Sequence, residues 1–82
     1  MEETINVFLE DYWKPERAEI SFNPESKEFT ATYYDRRDKV KRTLSGSKLS
    51  DVYEYNGVAW CIAKNNPATE EEILRCLRVN DK

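Results

Sequence analysis

Apolar residues recur at Ile5, Phe8, Leu9 and Tyr12, the i, i+3, i+4, i+7 spacing of one helical face, with Trp13 widening it. Residues 4–13 therefore read as a helix that ends before Pro15. The period then shortens to two. Ala18, Ile20 and Phe22 alternate with Arg17, Glu19, Ser21 and Asn23, and Asn23-Pro24-Glu25-Ser26 is turn chemistry. Phe29, Ala31 and Tyr33 form a second alternating run, and Val40, Arg42 and Leu44 a third after Asp35-Arg36-Arg37-Asp38. Short connections predict a three-stranded antiparallel meander over roughly 17–45.

Residues 47–64 admit two readings. A helix places Leu49, Val52, Tyr53, Ala59, Trp60 and Ala63 on one stripe. A hairpin turning at Asn56-Gly57 places Tyr53, Tyr55, Val58, Trp60 and Ile62 on one face. The clearest helix is 69–79, where Thr69 and Glu72 make a capping box and Ile73, Cys76 and Leu77 line one side. The expected class is α+β: one small domain over 1–82, with an N-terminal helix, a three-stranded antiparallel meander, a long or hairpin segment at 47–64 and a C-terminal helix.

Composition changes this picture little. Of 82 residues 39% are hydrophobic, and ten are aromatic, which suits one core rather than a disordered chain. Phe8, Tyr12, Trp13, Phe22, Phe29, Tyr33, Tyr53 and Trp60 are expected in that core. No apolar run reaches the length of a membrane span, and the acidic start Met1-Glu2-Glu3-Thr4 does not resemble a secretory signal. A cytoplasmic protein without membrane contact is expected, in the host cell if it is viral.

Candidate chemistry is sparse. There is no histidine, and the two cysteines, Cys61 and Cys76, lack a CxxC partner. Both are expected to be free thiols acting as small core residues. If 47–64 and 69–79 were antiparallel helices, their backbones would lie beyond disulfide reach. Glu70, Glu71 and Glu72 are consecutive on a helix and point about 100° apart, so they do not converge on an ion. Ser45, Ser47 and Ser50 have only Gly46 beside them, too little glycine for a phosphate-cradling loop. No enzymatic activity, cofactor or metal is expected.

Charge supplies the one asymmetry. Residues 1–35 carry −6, residues 36–48 carry +5 and residues 49–82 carry −2, for a net charge of −3. The basic island comprises Arg36, Arg37, Lys39, Lys41, Arg42 and Lys48. Tyr34 has the parity of Thr30, Thr32, Lys39, Lys41 and Thr43, so these residues are expected on the outer sheet face. Tyr34, Arg36, Arg37, Lys39, Lys41 and Arg42 are the candidate partner or nucleic-acid site. A secondary acidic face comprises Glu2, Glu3, Glu10 and Asp11. The competing explanation for the lysines is protection of an edge strand from aggregation.

The expected order of helix, three strands and long helix resembles that of double-stranded-RNA-binding domains. Its strand–strand–strand–helix part resembles AP2 and phage-integrase arm-binding domains, with Glu54-Tyr55-Asn56 and Val58-Ala59 similar to the AP2 helix pattern. The basic cluster that opens the second helix of RNA-binding domains is reduced here to Lys48. This likeness is one of element order and implies no family. The functional expectation is a small non-enzymatic protein-interaction domain, similar in size and composition to the phage and mobile-element proteins that inhibit host machinery, such as anti-CRISPR proteins. The alternative is a nucleic-acid-binding domain that uses the basic hairpin.

Overall fold

The computed structural model describes residues 3–10, 16–53, 58–62 and 66–79. The chain runs β1 (Glu3–Glu10), β2 (Glu16–Asn23), β3 (Glu28–Tyr34), β4 (Val40–Gly46), α1 (Leu49–Val52), β5 (Val58–Cys61), β6 (Asn66–Pro67) and α2 (Glu70–Cys76). The strands form one antiparallel sheet in the order β4-β3-β2-β1-β5-β6, in which β6 is a two-residue edge.

The expected N-terminal helix is not there. Residues 3–10 are a strand near the middle of the sheet, paired with β2 on one side and β5 on the other. The window fits both periods, because Ile5 and Leu9 serve a helical stripe and an alternating strand alike. Val7 decides it: Ile5, Val7 and Leu9 are all buried at period two, while Phe8 turns away. A β-branched run beside two pairing partners outweighs the helical spacing. Tyr12, Trp13 and Pro15 lie outside the described residues.

Residues 47–64 follow neither reading. Leu49–Val52 is a single helical turn, and Val58–Cys61 is a strand that pairs with β1 rather than with its own preceding segment. The Asn56-Gly57 turn lies outside the described residues. The architecture expected from the sequence, a helix followed by a meander, is thus replaced by a sheet that extends well beyond β2–β4. The likenesses of order to RNA-binding and AP2 domains lapse with it.

One face of the sheet holds the core. Ile5, Val7, Leu9, Ala18, Ile20, Phe22, Phe29, Ala31, Tyr33 and Cys61 meet Leu49 and Val52 of α1 and Ile73 and Leu77 from α2 and its C-cap. The Tyr33 hydroxyl donates to the Val52 carbonyl at 2.5 Å, which ties α1 to β3. Burial raises the Tyr33 pKa above its ordinary value, a shift partly opposed by the Arg42 guanidinium. Thr69 caps α2, its hydroxyl accepting from the Glu72 N–H at 3.1 Å. The Glu72 carboxylate accepts from Arg75 instead, at 2.9 Å. Among the described residues, no helix is long and apolar enough to cross a membrane.

Candidate functional site: the open face of the sheet

Antiparallel partners point to the same side, so the register defines what the other face carries. Tyr34 pairs with Val40 and Arg17, Arg17 with Phe8, Phe8 with Trp60, and Trp60 with Pro67. These six residues form one transverse row across all six strands. The next row is Thr43, Thr32, Glu19 and Asn6, and beyond it lie Ser45, Thr30, Ser21 and Thr4. Neither helix covers this face, because both pack on the opposite one. Phe8 and Trp60 are each 39% exposed and Ile62 is 51% exposed.

Arg17 organises the row. Its guanidinium lies 4.2 Å from the Tyr34 ring centroid and donates to Asn6 Oδ1 at 2.7 Å. Glu19 and Asp38 flank it at 3.6 and 3.4 Å. Beside this row is an open depression of about 250 Å³, lined by Phe8, Glu16, Arg17, Asp35, Arg36 and Asp38.

The hairpin between β3 and β4 frames one end. Asp35 accepts backbone N–H bonds from Arg37 at 2.8 Å and Lys39 at 3.0 Å, and these hold its pKa below the ordinary carboxylate value. Asp38 takes the left-handed conformation, φ 60°, that closes the loop. The expected site residues divide accordingly. Tyr34 lies on the open face as expected. Arg36, Arg37 and Lys39 are exposed at the tip and form no ion pair among the described residues.

Lys41 and Arg42 do not join them. The register shifts between Tyr33 and Tyr34, so the alternation that would align Lys41 with Tyr34 is broken. Lys41 pairs with Glu16, and Arg42 lies 4.2 Å over the Tyr33 ring, toward the core face. Of the acidic set, Glu3 is 4.0 Å from the Arg78 guanidinium. The Glu10 side chain, Glu2 and Asp11 lie outside the described residues.

Sequence reasoning missed Arg17, Phe8 and Trp60. A helical reading buried Phe8, and both readings of 47–64 buried Trp60. The available signal was the period-two run Ile5-Asn6-Val7-Phe8-Leu9. Among the described residues, no group of three or more His, Cys, Asp or Glu is placed to hold a metal ion. Comparisons with protein-family models, curated proteins and solved structures found no match.

Proposed function

We propose that the chain is a non-enzymatic protein-interaction domain that docks through its open sheet face. The observation that supports this reading is the transverse row, with Phe8 and Trp60 adjacent and partly exposed near its centre. Tyr, Trp, Phe and Arg are the residue types enriched where protein interfaces concentrate their binding energy. Completing the burial of two such aromatics contributes on the order of 1–3 kcal/mol each. The proposed partner is a protein with an apolar patch beside acidic side chains, the latter facing Arg36, Arg37 and Lys39. Charge favours protein over nucleic acid on this face, because Arg17 is already flanked by Glu19 and Asp38 and the chain carries −3. A binding domain of this kind acts by occupying its partner's surface, and we extend the proposal to inhibitors of host machinery in phages and mobile elements.

The test compares immobilised wild type with Phe8→Ala/Trp60→Ala and with Arg36→Glu/Arg37→Glu. A partner captured by wild type is purified and its affinity for all three is measured. The double alanine variant is expected to lose at least about 100-fold, in line with two interface anchors. Charge reversal should lose about tenfold, with a salt dependence. Equal binding by the double alanine variant refutes the reading.

A second reading, nucleic-acid binding through the hairpin, is favoured by Arg36, Arg37 and Lys39, which are exposed and form no ion pair among the described residues. Fluorescence anisotropy with labelled single strand, duplex and RNA at two salt concentrations tests it. Salt-steep binding that Arg36→Glu/Arg37→Glu/Lys39→Glu abolishes supports it; no binding to any of the three ends it. Lys41 is left intact in that variant because its partner is Glu16.

A further inference from the structure

Cys61 and Cys76 are not remote from each other. Cys61 is fully buried on β5, in register with Val7 at the middle of the sheet. Cys76 ends α2 and is partly exposed. Their Sγ atoms are 3.9 Å apart. The separation expected from two antiparallel helices does not apply, because Cys61 lies on a strand beneath α2 rather than on a neighbouring helix. Both thiols are free in this structure.

We propose that Cys61 and Cys76 are a disulfide-forming site that takes its oxidising equivalents from a low-molecular-weight disulfide. The Cys76 sulfur is the accessible one, so it attacks first, through the small fraction present as thiolate. Its bond to one sulfur of the small disulfide forms as the S–S bond of that molecule breaks, releasing one thiol. The Cys61 sulfur then displaces the second small thiol and closes the Cys61–Cys76 bond. Two cysteine thiols are oxidised, one disulfide is reduced, and the two cysteine protons leave on the two released thiols. The Cys76 S–H points at Glu72 Oε1, 3.5 Å away, so this carboxylate borders the attacking sulfur. The product joins α2 covalently to β5 and closes the connection that carries β6.

This inference is independent of the docking face. The full chain, folded and in buffer, is incubated with excess oxidised glutathione, quenched with acid and weighed without reductant. The expected product is two hydrogens lighter than the starting chain, carries no glutathione and melts about 10 °C higher. Cys61→Ala should stop at one glutathione on Cys76. Wild type also provides a measurement that no variant is needed for: the effective concentration of the thiol pair against glutathione, folded and in guanidinium. It is expected to be at least about tenfold higher in the folded chain. Two glutathiones without a bridge, no reaction of the folded chain, or an equal effective concentration in guanidinium would each overturn the proposal.

Discussion

Arg17 makes several modest contacts at once: a stack on Tyr34, a hydrogen bond to Asn6 and two carboxylate neighbours. At a partly exposed site the stack contributes about 0.5–1 kcal/mol, the hydrogen bond about 1, and the ion pairs about 0–1. Arg17→Ala should therefore lower unfolding free energy by about 1–2 kcal/mol in urea denaturation. Arg17→Lys should recover only part of that, because an ammonium cannot stack as a plane.

Two acids with raised pKa values give the molecule an alkaline limit. Burial first, then the neighbouring Cys61 and Glu72, push the Cys76 thiol from 9.0 up to about 11. Burial raises the Tyr33 hydroxyl above 10.0. In the unfolded chain both ionise at their ordinary values, so above those values the unfolded state holds fewer protons than the folded one. The contribution of the Cys76 thiol to stability is then complete below pH 9.0, declines as pH rises and is lost through its folded value of about 11, and that of Tyr33 falls in the same direction. Urea midpoints measured from pH 7 to 11 should fall only above about 9. For Cys61→Ala that fall should be shallower, because one neighbour that raises the Cys76 value is gone.

At the scale of elements, the helix cap and a tight contact carry the clearest expectations. Thr69→Ala removes the bond to the Glu72 N–H and should cost about 1 kcal/mol. Gly46 closes β4 where α1 approaches, and a Cβ built there would lie 2.5 Å from Asp51 Cβ. Asp51 is held in place by accepting from the Lys48 N–H at 3.1 Å. Gly46→Ala should thus displace α1 and cost about 1–3 kcal/mol, read by thermal melting. A loss under a few tenths would mean that α1 moves freely.

Legibility also varied by element. The strands at 16–34 were readable because Ala18, Ile20, Phe22, Phe29, Ala31 and Tyr33 alternate with polar residues on a half-covered sheet. Of the capping box expected at α2, the Thr69 half was readable because it acts through local geometry alone, while the Glu72 carboxylate turns to Arg75. β1 and β5 were not, since their identity depends on each other: Val7 meets Cys61 and Phe8 meets Trp60. No local pattern records such a pairing. The same dependence hid the transverse row of the open face, which exists only when β1 stands between β2 and β5. The bulge at Tyr33–Tyr34 likewise diverted Lys41, and nothing in a strict alternation announces it.

At the scale of the whole molecule, the sheet has unequal edges. β6 offers two residues, whereas β4 offers seven, six of them exposed. Val40 is 60% and Leu44 38% exposed along that edge. Lys41 and Arg42 lie on that edge strand but turn in over the sheet, Lys41 to Glu16 and Arg42 onto the Tyr33 ring. The basic island thus divides in two: its end nearest the tip faces outward, and its strand portion is engaged by neighbouring strands.

The placement of β1 also sets the order in which the molecule can assemble. The β1–β2, β2–β3 and β3–β4 pairs each close over a few intervening residues, but Phe8 must find Trp60 across most of the chain. Closing that longer loop from an open coil costs about 2 kcal/mol more entropy than closing a tight hairpin. Hairpins formed first would shorten the search, so the β1–β5 junction is the late event and the slow one. Pulsed hydrogen exchange during refolding should protect the amides of Ile20 and Ala31 before that of Ile62, which donates to the Asn6 carbonyl across the junction. Early protection of Ile62 would place the nucleus at the junction instead. On this ordering, the row proposed for docking is among the last features to appear: a chain caught before the junction closes holds Tyr34 and Arg17 together while Phe8 still lacks Trp60.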